Sequence, residues 1–218
     1  MSGKEILRME KIHKSFPGVK ALQDVSFSLY EGEVHSIVGE NGAGKSTLMK
    51  ILGGVYHPEE GRIFIEDAEI KIKNPSEAIH YGISVIYQEF NLIPTLTVAE
   101  NIFLGKEYRK PHSTSLDRRT MNSDAAKVMK LLGLSNFDCS RYVRNLSVAQ
   151  QQMVEIAKAV FNNARILVMD EPSAVLSQTE TELLFKLIRD LKNKGITIIY
   201  ISHRLIEVLD LSDRITVL

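Results

Sequence analysis

The residues best suited to chemistry form the segment Gly39-Glu40-Asn41-Gly42-Ala43-Gly44-Lys45-Ser46. Two glycines with four residues between them, followed by Lys and Ser, are typical of a phosphate-binding loop. Because glycine has no Cβ, its backbone N–H group can approach phosphate oxygens closely. We expect Gly44 to open a helix whose positive dipole end faces the phosphates. Lys45 then places its charge on the β- and γ-phosphates of a nucleotide, and Ser46 offers an oxygen to Mg²⁺.

A glycine-rich turn can match this pattern by accident, in roughly one chain of this length in a hundred when about 7% of residues are Gly. The surrounding residues reduce that chance. Glu33–Val38 is strand-like, and Thr47–Leu52 is helix-like. Since a phosphate loop joins a strand to a helix, the context favours phosphate binding over an accidental turn.

A pair of carboxylates ends a second apolar run. Ile166–Met169 contains only apolar residues and leads into Asp170 and Glu171. A buried strand that delivers carboxylates at its C-terminal end suits the other half of a phosphate site. Asp170 would hold Mg²⁺, directly or through water, because hard cations prefer oxygen ligands. Glu171 would act as the general base on the attacking water. The alternative is that Asp-Glu-Pro merely ends a strand in a turn.

Two further polar residues follow predicted strands in the same way. Gln88 comes after Ile83–Tyr87, and His203 comes after Ile196–Ile201. At the C-terminal edge of a parallel sheet, the Gln88 amide can reach Mg²⁺ or the attacking water. The His203 imidazole can contact the γ-phosphate. The alternatives are a solvated glutamine in a loop and a histidine without a chemical role.

Composition narrows the class of protein. The 218 residues are 44% hydrophobic and 25% charged, which is typical of a globular protein with an α/β core. Lys plus Arg equals Asp plus Glu, 27 each. A net charge of zero argues against a broad nucleic-acid surface. The single Cys139 suits a reducing compartment. The sequence contains neither a signal peptide nor a run of about 18 apolar residues, so we expect a cytoplasmic protein that meets a membrane only through a partner.

Hydrophobic patterning predicts an α/β chain with a mostly parallel sheet, an antiparallel β edge formed by the early strands, and a helical insertion. The predicted strands are Ile6–Phe16, Ala21–Tyr30, Glu33–Val38, Gly61–Glu66, Glu69–Lys73, Ile83–Tyr87, Ile166–Asp170 and Ile196–Ile201. The predicted helices beyond the phosphate loop are Thr97–Leu104, Asn122–Leu132, Ser147–Asn162 and Thr179–Lys194. In the last of these, one face carries Leu183, Leu184, Leu187, Ile188 and Leu191. We expect a single domain in which residues 1–88 and 163–218 form the nucleotide-binding core and residues from about 89 to 162 form a helical subdomain.

Taken together, these motifs resemble the ATP-binding-cassette (ABC) ATPases over essentially the whole chain. The order and spacing match at Gly39–Ser46, Gln88, Leu146–Gln150, Met169–Pro172 and Ser202-His203. The resemblance implies a RecA-like P-loop NTPase fold, ATP and Mg²⁺ as cofactors, and hydrolysis of ATP. The residues that it assigns to the nucleotide are Phe16, Gly39, Asn41, Gly42, Gly44, Lys45, Ser46, Thr47, Ser147 and Gln150. The metal ligands are Ser46, Gln88 and Asp170, and the catalytic residues are Glu171, His203 and Gln88.

Phe16 and the signature segment come from the resemblance alone. The resemblance implies that Phe16 stacks on adenine, whereas its alternative role is an ordinary hydrophobic contact at a strand end. The segment Ser147-Val148-Ala149-Gln150 resembles a signature that binds the γ-phosphate held by the opposite ATPase domain. Val148 and Ala149 stand where the family has two glycines, and Ser177 stands where the family usually has Asp. These departures affect the efficiency of the signature and communication across the dimer.

Within the family, three stretches look most like bacterial importers of ribose, galactose and related monosaccharides. They are Val85–Leu92, Val98–Gly105 and Tyr200–Arg204. Those proteins carry two cassettes in one chain, and this sequence looks like the first. Because Arg214–Leu218 reads as the middle of a strand, we expect a fragment of a longer polypeptide.

The resemblance also implies partners. They are a second ABC cassette, transmembrane permease subunits at the cytoplasmic face of the cell membrane and, indirectly, a periplasmic or extracellular sugar-binding protein. The segment Glu89–Leu104 would dock on the permease through apolar residues such as Leu92 and Ile93, unless these residues simply pack the helical insertion. The alternative functions are a non-transport ABC ATPase of the translation or chromosome-maintenance type, and a nucleotide-binding switch with little hydrolysis. Long coiled coils between the phosphate loop and the signature, or a basic linker, would favour the first alternative, and the sequence contains neither.

Overall fold

The computed structural model describes residues 3–218, which fall into two compact units. The sheet unit contains residues 3–88, Ala164–Ser173 and Ile188–Leu218, and the helical unit contains Glu89–Asn163 and Ala174–Leu187. The strands, numbered along the chain, are β1 (Glu5–Phe16), β2 (Val19–Tyr30), β3 (Val34–Val38), β4 (Glu60–Ile65), β5 (Ala68–Ile70), β6 (Ile83–Ile86), β7 (Ile166–Asp170), β8 (Thr197–Ile201) and β9 (Arg214–Val217). The helices are α1 (Lys45–Leu52), α2 (Pro75–His80), α3 (Val98–Ile102), α4 (Arg118–Leu131), α5 (Val148–Phe161), α6 (Gln178–Asn193) and α7 (Leu205–Leu211).

A five-stranded parallel sheet lies at the centre of the sheet unit. Its strand order is β6-β7-β8-β3-β9, and every neighbouring pair is parallel. All residues of β3, β7 and β8 are buried, which explains the long apolar runs of β7 and β8. In β3, the polar His35 and Ser36 are buried as well. Because the strands are parallel, their C-terminal ends meet at one edge, where the chain continues into the predicted chemical residues.

The antiparallel strands form a sheet of their own, in the order β2-β1-β4-β5. Apolar residues of this sheet and of the parallel sheet share one core with α1. Fully buried members of that core include Met9, Ile12, Leu29, Leu48 and Ile199. Burying one such side chain contributes about 1.5–3 kcal/mol, so this shared core stabilises the loop that connects β3 to α1.

The helical unit is built around α3, α4 and α5. The Phe103 ring packs against the rings of Phe161 and Tyr108, with centroids 4.3 and 4.8 Å apart. Polar caps define where the helices begin. Thr97 and Glu100 form a reciprocal capping box at the start of α3.

The observed helices differ from the predicted ones in several places. Helix α2 begins after Asn74, whose side chain accepts from the Glu77 N–H group, with a proline at its first position. This helix was not predicted, although proline favours the first turn of a helix. Helix α7 was not predicted either, because its seven residues are fewer than the about 11–18 over which periodicity indicates a helix. In α6, Leu183 is 62% exposed, whereas the other four leucine and isoleucine residues of the predicted face are buried.

Within residues 3–218, none of the helices is both long enough and apolar enough to span a bilayer.

Candidate functional site

The loop between β3 and α1 has the geometry that its glycines predict. Gly44 is the N-cap of α1 and has φ +96°, in the left-handed region. A Cβ at Gly44 would lie 2.4 Å from the Ala21 carbonyl oxygen and 2.6 Å from Leu22 Cδ2. Only glycine therefore fits this position. No side chain caps α1, so its N-terminus is suited to an anionic ligand.

Lys45 is held inside the curve of the loop. Its Nζ donates to the carbonyl oxygens of Gly39 and Glu40 at 2.8 and 2.9 Å, and the residue is only 7% exposed. A buried ammonium needs such partners to compensate for lost hydration. A phosphate group in the loop would add charged partners for the same ammonium.

A cavity of about 390 Å³ lies beside this loop within the sheet unit. Most of its lining comes from the phosphate loop and the first turn of α1. Its lining residues are Ala21, Asn41, Gly42, Gly44, Lys45, Ser46, Thr47, Gln88 and Glu171. The fold thus brings Gln88 and Glu171 to the loop, although they are about 40 and 130 residues away in sequence.

Asp170 lies at the end of β7 and is 6% exposed. Burial raises the pKa of its carboxyl group, and the neighbouring charge of Glu171 raises it further. A hydrogen bond from Ser46 and the positive charges of Lys50 and Lys45 act in the opposite direction. This hydrogen bond places the Ser46 hydroxyl beside the Asp170 carboxylate. Together, the hydroxyl and the carboxylate offer oxygen ligands of the kind that a hard cation prefers.

Glu171 and His203 meet across the ends of β7 and β8. His203 Nδ1 lies 3.0 Å from Glu171 Oε1, and the Glu171 N–H group donates to the Ile201 carbonyl oxygen at 2.9 Å. Glu171 has φ +50°, a conformation that costs a non-glycine residue about 1–2 kcal/mol. Such local strain occurs often at functional sites.

Phe16 is the last residue of β1 and is half-buried. Its ring packs edge-on against the Tyr56 ring, with centroids 5.2 Å apart. Lys14 Nζ also lies 5.6 Å from the centre of the Phe16 ring. These are strand-end contacts of the kind named above as the alternative, and stacking on adenine stays a prediction.

The signature residues Ser147 and Gln150 belong to the helical unit, where they cap α5. The Ser147 hydroxyl accepts from the Gln150 N–H group at 3.2 Å, and the Gln150 side chain accepts from the Ser147 N–H group at 3.1 Å. Ser147 is therefore the N-cap of α5. Val148 is 41% exposed at the first position of α5. The predicted contact of Ser147 and Gln150 with a nucleotide stays a prediction.

Ser177 has a comparable capping role before α6. Its N–H group and hydroxyl both donate to Glu180 Oε2, at 2.9 and 2.8 Å. The substitution of the expected Asp by Ser therefore leaves the start of the helix capped.

Sequence reasoning missed two residues that interact electrostatically with Asp170. Lys50 lies four residues after Ser46 on α1, so both side chains share one helix face, and this spacing was a usable signal. Tyr87 had no such signal. Burial raises the pKa of its phenol, and the charge of Asp170 adds to that rise.

The architecture and the loop define a nucleotide-binding ATPase cassette, and the comparisons agree. The ABC transporter family model matches residues 22–174. The chain belongs to the ABC transporter family. A ribose import ATP-binding protein of Burkholderia cenocepacia is 51% identical over 220 residues, covering 100% of this chain. The same match covers 42% of that relative, so this chain spans less than half of its length.

Two solved structures extend the comparison. A nucleotide-free ATP-binding cassette from an ABC transporter superposes with a TM-score of 0.86 and 36% identity, covering 98% of this chain and 87% of that one. A dimeric cassette in a post-hydrolysis state, bound to ADP and Pi, gives a TM-score of 0.81 and 29% identity. That match covers 98% of this chain and 94% of the other. The predicted α/β P-loop NTPase fold is confirmed.

Proposed function

We propose that this chain is a single ABC ATPase domain that binds and hydrolyses ATP to energise the import of a monosaccharide. The observation that carries the proposal is the cavity in which the phosphate loop, Gln88 and Glu171 come together. The dimeric cassette bound to ADP and Pi supports a nucleotide as the ligand. The glycine-shaped loop, the buried Lys45 and the uncapped start of α1 fit a triphosphate.

The donor set also fits Mg²⁺. Ser46 and Asp170 are hydrogen-bonded to each other, and Gln88 lines the same cavity. Across residues 3–218, the model contains no cluster of three His, Cys, Asp or Glu residues that could hold a metal. Mg²⁺ commonly binds through one or two protein oxygens together with substrate phosphates, and this site offers that arrangement. When bound, Mg²⁺ would neutralise charge on the phosphate oxygens.

Glu171 is the proposed general base. Its carboxylate takes a proton from the water whose oxygen attacks the γ-phosphorus, and the bond to the β-phosphate oxygen breaks to give ADP and phosphate. Gln88 orients that water. The His203 imidazole, 3.0 Å from Glu171, orients the carboxylate and contacts the γ-phosphate. Lys45 places its charge on the β- and γ-phosphates.

The proposed site is completed by a second cassette. In this arrangement, Ser147 and Gln150 of one cassette bind the γ-phosphate held by the phosphate loop of the other. The positive dipole end of a helix favours an anion. Although the Ser147 and Gln150 side chains already cap α5, the Ser147 hydroxyl and the first amides of this helix would face the phosphate. The dimeric cassette structure supports the pairing of two cassettes. Phe16 would stack on the adenine ring.

Import of a monosaccharide is supported by the name and 51% identity of the ribose import relative. The proposed partners are transmembrane permease subunits and, indirectly, a sugar-binding protein outside the cytoplasm. The chain would work at the cytoplasmic face of the membrane. Within the proposed docking segment Glu89–Leu104, Ile93 is 37% exposed and available to a partner. Leu92 is only 9% exposed, which favours for this residue the alternative that it packs the helical insertion.

ATP turnover by three proteins tests the proposed chemistry. We expect Glu171→Gln to lower turnover by about 100-fold or more, as removal of a general base does. Glu182→Gln changes an exposed carboxylate on α6 in the same way and should turn over ATP like the wild type. Equal rates in all three proteins would refute Glu171 as the base.

A binding measurement tests the phosphate loop separately. Lys45→Ala should weaken the binding of a fluorescent ATP analogue, because it removes the buried charge of the loop. Unchanged affinity would contradict the assignment of the cavity to ATP. Binding with normal affinity but without turnover in the wild type would instead favour the nucleotide-binding switch.

A further inference from the structure

A buried carboxylate outside the cavity, that of Glu207 on α7, is bonded by four other side chains. Glu207 is 7% exposed. Its Oε2 accepts from Ser173 Oγ at 2.6 Å, the Tyr200 hydroxyl at 2.8 Å and Ser202 Oγ at 3.1 Å. Its Oε1 accepts from the Arg204 guanidinium at 3.1 Å. All these residues belong to the sheet unit.

The protonation states in this cluster follow from its surroundings. Burial alone would raise the pKa of Glu207, but the hydrogen bonds from Ser173, Tyr200, Arg204 and Ser202 lower it overall. Burial raises the pKa of the Tyr200 phenol. Glu207 is therefore an ionised acceptor, and the three hydroxyl groups donate to it. Hydrogen bonds to a charged acceptor are stronger than neutral ones.

Two of the donors of Glu207 lie in the two loops that carry the proposed catalytic groups. Ser173 is two residues after Glu171, in the loop that follows β7. Ser202 directly precedes His203, in the loop that follows β8. The Ser202 hydroxyl also accepts from the Arg204 N–H group at 3.0 Å, so the backbone on both sides of His203 is held.

We infer that Glu207 is a positioning residue that holds Glu171 and His203 in register for hydrolysis of ATP. This inference rests on the ATPase function proposed above. The two loops are joined directly by the 3.0 Å contact of His203 with Glu171, and a second time through the bonds of Ser173 and Ser202 to Glu207. The simpler alternative is a carboxylate that only stabilises the fold. In that case its loss would lower stability without changing the turnover of the folded protein.

The substitution Glu207→Gln separates these roles. A glutamine has one oxygen and two N–H donors, so its amide nitrogen would face donors that now meet a carboxylate oxygen. Glu33 provides a matched control, because it is also buried, at 8% exposure. Its carboxylate accepts from the Tyr30 N–H group at 2.9 Å and from the Arg214 guanidinium at 3.0 Å. It precedes β3, at the end of the sheet opposite the cavity.

The experiment compares the wild type, Glu207→Gln and Glu33→Gln in thermal unfolding, ATP turnover and amide hydrogen exchange. We expect both variants to unfold at lower temperature. Only Glu207→Gln should lower kcat, by at least about 10-fold, because a misplacement of about 1 Å costs as much as 100-fold. Its KM for ATP should change less than about 3-fold, since the phosphate loop is intact. The amides of Glu171 and Arg204 should exchange faster only in Glu207→Gln.

Several results would overturn the inference. They are an equal loss of kcat in both variants, an unchanged kcat in Glu207→Gln, or unchanged exchange at both amides. If Glu207→Gln fails to fold, Ser202→Ala replaces it, and the same kcat loss and faster Arg204 exchange are expected. Absence of turnover in the wild type would refute the proposed ATPase function, whereas the exchange comparison would still decide whether Glu207 holds the two loops.

Discussion

Replacing Asp170 by Asn should make the nucleotide-free chain more stable while removing its ATPase activity. Asp170 is 6% exposed and lies next to Glu171, so its ionised form is deprived of water and faces a like charge. An asparagine keeps the shape and can still accept the Ser46 hydrogen bond, but it carries no charge to bury. Functional sites often sacrifice stability in this way.

The size of the effect follows from the balance of charges around Asp170. Burial and Glu171 raise the pKa of the carboxyl group, whereas Ser46, Lys50 and Lys45 offset part of that rise. Single substitutions that remove such a conflict commonly stabilise a protein by roughly 0.5–2 kcal/mol. For a chain of this size, each kcal/mol corresponds to a rise of about 2–4 °C in Tm.

The effect has a defined pH dependence. Because the pKa of Asp170 is raised above its ordinary 3.8, the unfolded chain releases this proton first as the pH rises. Wild-type stability therefore falls as the pH rises from about 4 through the raised pKa. The advantage of Asp170→Asn should be full at pH 8 and should fade as the pH approaches 4.

Thermal melts of nucleotide-free protein at several pH values test this prediction, with Asp213→Asn as the control. Asp213 accepts from the Val34 N–H group at 2.7 Å and from Lys192 Nζ at 2.6 Å. Burial alone would raise the pKa of Asp213, but these partners lower it overall. Its ionised form therefore stabilises the fold at pH values above the ordinary Asp pKa. Asp213→Asn should therefore lower Tm at pH 8. A Tm for Asp170→Asn at or below that of the wild type at pH 8 would refute the reasoning.

Three further predictions concern local geometry. Gly44→Ala should destabilise the chain by about 1–2 kcal/mol or more in urea unfolding, because φ is +96° and the added Cβ would clash. Gly42→Ala also has positive φ but open space, so it should cost less, and equal costs would contradict the clash argument. Ser147→Ala should cost about 0.5–2 kcal/mol through loss of the α5 cap, and an unchanged urea midpoint would contradict this. Burial raises the pKa of the Cys139 thiol to about 11, so iodoacetamide at pH 8 should react slowly with folded protein and rapidly in urea. Equally rapid reaction of the folded protein would contradict the burial of this thiol.

Features that depend on neighbouring residues could be read from the sequence. The phosphate loop was predictable because its glycines, Lys45 and Ser46 act through adjacent backbone groups and one helix N-terminus. The strand ends that carry Asp170, Gln88 and His203 were predictable for a related reason. Parallel strands bring their C-terminal ends to a common edge, and continuous apolar runs mark those strands.

The sequence did not predict every helix or every buried helix face correctly. The apolar pattern of α6 placed Leu183 on the buried face, yet it is 62% exposed. Helical periodicity gives the direction of a side chain, but the width of the covered stripe depends on what packs against it. Helix α7 was missed because its seven residues are too few for periodicity, which is read over about 11–18 residues, to indicate a helix.

The sequence by itself predicted the phosphate loop and the carboxylates of the candidate site, because these depend on residue type and short spacing. Only the tertiary structure decided how the groups are held. It joins Ser173 and Ser202 through Glu207, and it brings Lys50 and Tyr87 into electrostatic interaction with Asp170. Residues far apart in the chain meet through packing of β7, β8 and α7, and no local pattern records which buried hydroxyl will face which carboxylate.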